Sequence, residues 1–346
     1  MRIFVTGAAG FVAEHLIPEL YQLGHQVIGC DRKSRSGLVY EEYIQCDLVN
    51  NNIYKNKIKN VDFVIHLAAA RADWGISREE FWHDNVKATE ALIQVGLEAG
   101  IKSWMFVSSV STMPQNTSEL LDDQAPYAPI NDYGESKMLA EKAFIKMQQD
   151  NPEISLTIIR PTVLYGPSDP EYTGMYRAVD NNIFRLIDGI YSNRFAIVGN
   201  GKTIKTTAYV KNFAKALMFL ITDTPGCEIY VYADQPSTQT GELVKIIRGL
   251  LGKNGQGLKI PLFFALPLSV FGDMFSKITD INFPITKARV ETFNRPTNFI
   301  PRKLINKGFT FPYTVEEALR ETVNWYIDLK KNHNKNYLFF TEKIGN

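Results

Sequence analysis

The stretch RIFVTGAAGFVAEHL, residues 2–16, constrains the fold more than any other, because a short apolar run passes into a helical pattern through two glycines, Gly7 and Gly10. A strand that turns this tightly into a helix presents bare backbone N–H groups at the helix N-terminus, where the helix dipole favours negative charge. That is the local architecture of a dinucleotide-binding turn, although the fingerprint G-x-G-x-x-G would place a third glycine where this chain has Ala13. The third glycine serves close packing of helix on strand, which alanine, one methyl larger, can also serve. A plain strand-to-helix turn is the alternative for this stretch taken alone. Along the helix, Phe11, Leu16, Leu20 and Leu23 fall near one face; Gly24 stands where a left-handed C-cap would end it, and Pro18 is expected to kink it.

Apolar, strand-like runs then alternate with helical patterns: RIFVTG, HQVIGCD, VDFVIHLAA, SWMFVSS and SLTIIRP are each closely followed by polar or small residues. Such alternation is the signature of βαβ units and predicts an α/β fold, a Rossmann-type doubly wound parallel sheet. With 346 residues, 45% of them hydrophobic, the chain can bury a sizeable core. After RPTVLYGP the texture changes, with Pro, Gly, Asp and Tyr crowding residues 166–176, and a strand CEIYVYAD near 227–234 is expected to return to the main sheet. The expected organisation is a cofactor-binding domain of residues 1–166 plus about 207–235, a smaller, discontinuous C-terminal substrate-binding domain of about 167–206 and 236–336, and a tail of 337–346 without clear period.

Several functions are disfavoured by composition. The chain carries 38 basic and 37 acidic residues, a net charge of +1, and no basic tract, so nucleic acid is not an expected partner. Cys30, Cys46 and Cys227 contain no C-x-x-C pair, so neither a disulfide framework nor a metal site is expected, and the cytoplasm fits best. The chain opens directly on a strand pattern, so no secretory signal is read. The longest apolar run, IPLFFALPLSVFG at 260–272, is too short to span a bilayer and holds two prolines. A buried helix of the second domain is its expected role, and a weak contact with a membrane surface the alternative.

The second strand decides the meaning of the first turn. It ends in Asp31, 21 residues after Gly10, where an acidic residue would accept hydrogen bonds from adenosine ribose hydroxyls. An aspartate there repels a 2′-phosphate and favours NAD, while Arg32, Lys33 and Arg35 directly after it leave NADP open. Asp47, in QCDL, is read either as a contact to adenine or as a cap on a turn.

YGESK puts Tyr133 and Lys137 at i and i+4, on one face of a predicted helix. A cation beside a phenol favours the phenolate, which makes tyrosine a workable general acid/base near neutrality. The same spacing recurs at Tyr326 and Lys330, but without hydroxyls upstream; there it predicts only an amphipathic surface helix, and Tyr326→Phe is expected to be silent. Tyr133 instead follows FVSSVS, where Ser108, Ser109 and Ser111 end a predicted central strand. Hydroxyl, phenol and ammonium are the groups needed to bind a carbonyl or alcohol oxygen and move its proton while a nicotinamide moves the hydride.

Taken in order, TGAAGF, HLAAA, NVKATE, FVSSVS, YGESKMLAE, RPTVLYGP and, more loosely, YVKNFAKAL, LINKGF and TVNWY resemble the extended short-chain dehydrogenase/reductases of the NAD-dependent epimerase/dehydratase family. The resemblance implies that Tyr133 is the acid/base, that Lys137 tunes it and holds a ribose, and that Ser109 is the catalytic hydroxyl, with Ser108 and Ser111 as competitors. It implies a cofactor groove of Gly7, Gly10, Phe11, Val12, Asp31, Arg32, Asp47, Leu48, Leu67, Ala68 and Ala69, support of the active-site strand by Asn85, and Pro161 and Val163 near the nicotinamide. His66 ends a buried strand without an acidic partner at readable spacing and is expected to be structural.

Departures from the family pattern narrow the chemistry. Val110 and Ser111 stand where dehydrating members carry acidic residues, so dehydration is disfavoured, and Met113 and Pro114 replace a Tyr-Gly pair in the expected pocket wall. In GNGKTIKTTAYV, Lys205 takes the place of an arginine for a substrate pyrophosphate, keeping the charge without the bidentate fork. Arg71, Trp74, Asn182 and Arg185 are further candidates for substrate contact. The resulting expectation is an NAD(P)-dependent nucleotide-sugar epimerase or 4-keto reductase, a homodimer by family analogy. Its alternatives are an oxidoreductase like the 3β-hydroxysteroid dehydrogenases or flavonol reductases, acting on an apolar alcohol or ketone, and a non-catalytic NAD(P)H sensor. A valine at residue 7 is expected to fill the space of the cofactor's pyrophosphate.

Overall fold

In the computed structural model, which describes residues 1–34, 37–71, 75–115, 117–169, 182–255, 257–265, 267 and 296–332, the five apolar runs become strands of one sheet. These are β1 (Arg2–Thr6), β2 (Gln26–Asp31), β4 (Phe63–His66), β5 (Ser103–Val107) and β6 (Ser155–Pro161); β3 (Glu42–Gln45) and the strand Gly226–Tyr232 complete it. The order is Gly226–Tyr232, β6, β5, β4, β1, β2, β3, and every pairing is parallel. The central β4, β5 and β6 are buried at every residue, which is why their sequences run apolar without alternating.

Successive side chains of each strand point to opposite faces, and both faces are covered. Ile3, Val5, Ile65, Met105 and Ile159 lie beneath α1 (Phe11–Gln22) and the helix Val210–Phe219, against Leu16, Leu20, Phe213 and Leu217. Phe4, Val64, Trp104, Phe106 and Ile158 pack on the other side against α3 (Ala88–Glu98) and α4 (Asp132–Asp150), through Leu92, Val95, Ala140 and Phe144. The return of the strand near 227 is found as expected, Gly226 pairing with Ser155 and Tyr232 with Pro161. A third apolar cluster joins Tyr165, the helix Asn182–Tyr191, the helix Thr240–Leu250 and the helix Val315–Asn332.

Some expectations need correction. α1 runs from Phe11 to Gln22 with Pro18 inside it, and Gly24 takes the left-handed φ, +77°, expected of it. Tyr326 is not on a surface face: it is 3% exposed, its hydroxyl donates to Asp188 Oδ1 at 2.5 Å, and Lys330 Nζ lies 3.2 Å from the same carboxylate. Tyr326→Phe therefore strips a donor from a buried carboxylate and is no silent control. Met113 is fully buried in a cluster with Val231, Ala233 and Phe299. Of the run at 260–272, the described part begins a helical turn at Leu262 whose Leu262, Phe263 and Phe264 are exposed, so these residues are not a buried helix. The tail 337–346 lies outside the described residues.

Candidate active site

The strand order reverses between β1 and β4, so the turns that follow these two strands border one crevice, the place where sheets of this class hold ligands. Gly7 has φ +68°, and a Cβ there would lie 2.7 Å from Ala68 N. The two turns therefore touch through glycine, and Gly7→Val would meet the Ala68 backbone before any ligand, which corrects the expected mode of action. Gly10 caps α1 without a side-chain bond to its first turn, leaving the N–H groups at Phe11 and Val12 to face a phosphate. Ala13 is fully buried beneath the turn beside Val5, in the packing role expected for the third position. Beyond Pro161, Thr162 Oγ1 is buried with no hydrogen-bond partner among the described residues, a polar atom suited to a ligand group. Val163 is half-buried next to it.

At the end of β2, Asp31 accepts from Ala9 N at 3.1 Å and from Lys33 N at 3.0 Å, which ties the acidic residue to the glycine turn. Arg32 forks onto Asp84, at 3.0 and 2.6 Å, and reaches within 3.9 Å of Asp47. Asp47 also accepts from Val49 N at 3.0 Å, so it caps a turn while facing Arg32. Leu48 is buried behind it, and Leu67, Ala68 and Ala69 are half-buried in the turn after β4. These residues fit the adenosine and pyrophosphate parts of a dinucleotide.

Asn85 lies in a π-helical turn, Trp82–Lys87, that joins α2 (Arg78–Phe81) to α3. Its Oδ1 accepts from Ala70 N at 2.7 Å and its Nδ2 donates to Ala70 O at 3.1 Å and Ser136 Oγ at 2.9 Å, which clamps the turn after β4 to α4. The helix α4 starts at Asn131, whose side chain accepts from Gly134 N at 2.8 Å. A Cβ on Gly134 would lie 2.2 Å from Ser111 O, so this glycine lets the first turn of α4, with Tyr133, abut the serine turn. Sequence reasoning passed over Gly134, since the short loop it touches is a tertiary neighbour.

Four residues along α4, Lys137 is buried; its Nζ donates to Val107 O at 2.8 Å and stands 4.1 Å above the Phe106 ring centroid. Burial pushes the ammonium down to about 7, against the pull of Glu141. Tyr133 is half-buried with its ring 5.8 Å from that of Phe81. The three serines separate: Ser108 donates to Glu141, in a buried network with Arg160 and Tyr127, whereas Ser109 Oγ is 3.1 Å from Ser111 Oγ on the side of the α4 start. Glu141 and Arg160, which no spacing in the sequence connects, form an ion pair at 2.7 Å with the carboxylate fully buried.

His66 is fully buried between two threonines, Nδ1 2.6 Å from Thr6 Oγ1 and Nε2 3.0 Å from Thr89 Oγ1. Thr89 donates to Asn85 O at 2.7 Å, so it accepts from His66, and the network assigns the proton to Nε2. Burial lowers this imidazole to about 3. Below pH 6.5 the unfolded chain gains a proton on His66 that the folded chain refuses until about pH 3, so stability is lost on acidification across that window. Urea titrations from pH 7 to 5 should show this, with a contribution of up to about 1.4 kcal/mol per pH unit that is missing from His66→Gln.

Of the substrate candidates, Arg71 is exposed after β4, Ser111 is half-buried in the serine turn, and Arg185 is exposed on the helix Asn182–Tyr191. Lys205 ends a two-residue strand, Ile204–Lys205, that bridges Thr238–Gln239 and Thr297. Next to it Lys202, Thr203 and Ile204 line a cleft with Ser118, Pro296 and Asn298; Lys202 was not singled out by sequence. Trp74 and the side chain of Asn182 lie outside the described residues.

A model of the NAD dependent epimerase/dehydratase family matches residues 3–232. The N-acetyl-alpha-D-glucosaminyl-diphospho-ditrans,octacis-undecaprenol 4-epimerase of Escherichia coli O157:H7 is 29% identical over 340 residues, 96% of this chain and 97% of that one. A decarboxylating sterol-4-alpha-carboxylate 3-dehydrogenase of Mus musculus is 25% identical over 95% of this chain and 91% of that one. In fold, the structure of MoeE5 in complex with UDP-glucose and NAD matches with a TM-score of 0.72 at 23% identity, covering 95% of this chain and 99% of that one.

Proposed function

The chain belongs to the NAD dependent epimerase/dehydratase family, and we propose that it works on the C4 hydroxyl of a sugar carried on a diphosphate, by epimerisation or by reduction of the 4-ketone. When bound, NAD takes or returns the hydride at that carbon. Tyr133 takes the hydroxyl proton as the ketone forms and gives it back as the alcohol is restored. Lys137 supplies the positive charge that favours the phenolate, and Ser109 donates to the reacting oxygen. In epimerisation the same carbon is reduced from the opposite face, so Tyr133 ends each cycle in the protonation state in which it began.

The observation that carries this reading is the junction of α4 with the serine turn. Gly134 permits the contact, and it brings the phenol, the buried ammonium and the free side of the serine pair to one end of the sheet. Ser108 is committed to Glu141, which leaves Ser109 and its neighbour Ser111 as the hydroxyls at the turn, and Ser109 is our choice for the reaction. Both Tyr133 and Lys137 are present, which speaks against a sensor without turnover.

The carrier has two readings. A nucleotide is the first, and Lys202 and Lys205 beside the cleft would meet its diphosphate. A polyprenol is the second, favoured by the relative from Escherichia coli, which is similar over nearly the whole of both chains. Thermal unfolding with NAD and one further ligand separates them. A rise in midpoint with UDP-N-acetylglucosamine supports the first, a rise with a short polyprenyl-diphospho-N-acetylglucosamine alone supports the second, and a rise only with a sterol overturns both. The three thiols are free, as suits the cytoplasm, and a homodimer is the proposed assembly.

The choice of NAD rests on Arg32. Its guanidinium is held by Asp84 and Asp47, so the cation next to Asp31 is neutralised where a 2′-phosphate would need it. Asp84→Asn releases Arg32, and the preference for NAD over NADP is expected to fall about tenfold, ~1.4 kcal/mol. Calorimetric titration of both cofactors into the variant measures this.

A further inference from the structure

Cys30 and Cys46 stand 16 residues apart in the chain, yet their sulfurs lie 3.5 Å from each other in the buried cluster on one side of the sheet. The register brings them together. β2 and β3 run parallel with Cys30 opposite Ile44, so Cys46, two residues beyond Ile44, points to the same face. Cys30 is 1% exposed and Cys46 7%, so a small solute meets Cys46 first. With Cys30 as the donor in their contact, the Cys46 thiol is held below its ordinary value despite burial, which favours the nucleophilic thiolate there. Cys227 is out of reach of both, because its strand Gly226–Tyr232 forms one edge of the sheet and β3 the other.

The backbone of this pair carries the cofactor turn. Asp31 follows Cys30 and Asp47 follows Cys46. Cys30 O accepts from Ala8 N at 3.2 Å, inside the turn that holds Gly7 and Gly10, and Asp31 O accepts from Cys46 N at 3.0 Å. The Asp31 carboxylate in turn holds Ala9 N. A bond between the sulfurs draws them from 3.5 Å to about 2 Å. Any shift of the two cysteines that accompanies it reaches the turn suited to the pyrophosphate and the acid suited to the ribose.

We propose that Cys30 and Cys46 are an oxidation site, closed to a disulfide by hydrogen peroxide, and that the closed form binds NAD less tightly than the dithiol. The Cys46 thiolate attacks one peroxide oxygen and the O–O bond breaks, leaving a sulfenic acid on Cys46 and a hydroxide that departs as water with the proton Cys46 gave up. The Cys30 sulfur then attacks the Cys46 sulfur and expels the second oxygen, which leaves as water with the Cys30 proton. The two thiols lose two protons and two electrons in all, and the peroxide is reduced to two waters. In a reducing compartment other thiols restore the dithiol, so the bond is a transient state and not a staple.

The experiment exposes the full chain, without cofactor, to hydrogen peroxide, alkylates the remaining thiols and maps the peptides by mass spectrometry. The expected product is a peptide pair joined through Cys30 and Cys46, two hydrogens lighter than the separate peptides, with Cys227 alkylated. Calorimetric titration of the oxidised chain should show NAD affinity lower by about tenfold and restored by dithiothreitol, with the circular dichroism of the parent kept. By reciprocity, saturating NAD should raise the reduction potential of the pair by about 30 mV, the same tenfold converted. Cys46→Ser and Cys30→Ala, neither of which can close the bond, should keep their NAD affinity through peroxide treatment. Absence of the joined peptide in the parent overturns the proposal, as does a bond to Cys227 or between two chains. Unchanged NAD affinity of the joined form, its unfolding, or an equal loss in the variants overturns it too. No reading here uses a sugar, so failure of turnover on every sugar diphosphate would remove the catalytic reading and leave this result intact.

Discussion

Tyr133→Phe is expected to lower turnover by about 10²–10⁴-fold, the usual contribution of a positioned acid/base, while NAD affinity and stability stay near those of the parent. Phenylalanine keeps the ring that packs 5.8 Å from Phe81 and the first turn of α4 capped by Asn131. Only the hydroxyl is lost, and with it the group that exchanges a proton with the sugar oxygen. Lys137 remains buried over Phe106, donating to Val107 O, so the cofactor side of the site is unaltered. Steady-state kinetics paired with calorimetric NAD titration separates the two effects. Equal turnover in the variant would remove Tyr133 from the chemistry, and a parallel loss of NAD binding would recast it as an anchor.

The largest structural effect is expected at Glu141. Its carboxylate is fully buried and accepts from Arg160 at 2.7 and 3.0 Å, from Tyr127 at 2.7 Å and from Ser108. Glu141→Leu leaves the guanidinium without its counter-charge and two hydroxyls without their acceptor, a loss of about 3–5 kcal/mol. The double variant Glu141→Leu/Arg160→Met removes both charges and should recover most of that loss, because an apolar pair of similar volume needs no compensation. Urea unfolding of the parent, the two single variants and the double variant tests this as a cycle. A cost below about 1 kcal/mol for Glu141→Leu would mean that water reaches the pair.

What could be read from the chain was local. The central strands are continuous apolar runs, Gly24 marks a helix end, and Tyr133 and Lys137 share a helix face, all patterns within a few residues. The close approaches were not legible. Gly134 looks like any glycine until Ser111 O is found against it, and Gly7 owes its identity to Ala68, 61 residues away. Nor could spacing show that Arg160 reaches from β6 to Glu141 on α4, or that Ser108 is drawn into that pair and away from the site. Tyr326 misled because an amphipathic period tells which positions share a face but not how deep that face lies; Asp188, the partner of its hydroxyl, is 138 residues earlier. The π-helical turn that aims Asn85 at Ala70 carries no composition signal of its own.

Hydride transfer at C4, with Tyr133 moving the proton, is followed with sugar diphosphates deuterated at C4. UDP-N-acetylglucosamine and a short polyprenyl-diphospho-N-acetylglucosamine, each labelled there, are incubated with the protein and NAD, and the products are read by NMR. At least one should yield either its C4 epimer with the deuterium still on C4 or, if the protein is a 4-keto reductase running in reverse, its 4-ketone with the deuterium on the nicotinamide. Recovery of both substrates unchanged, or an epimer whose C4 label has exchanged with water, would contradict hydride transfer at C4.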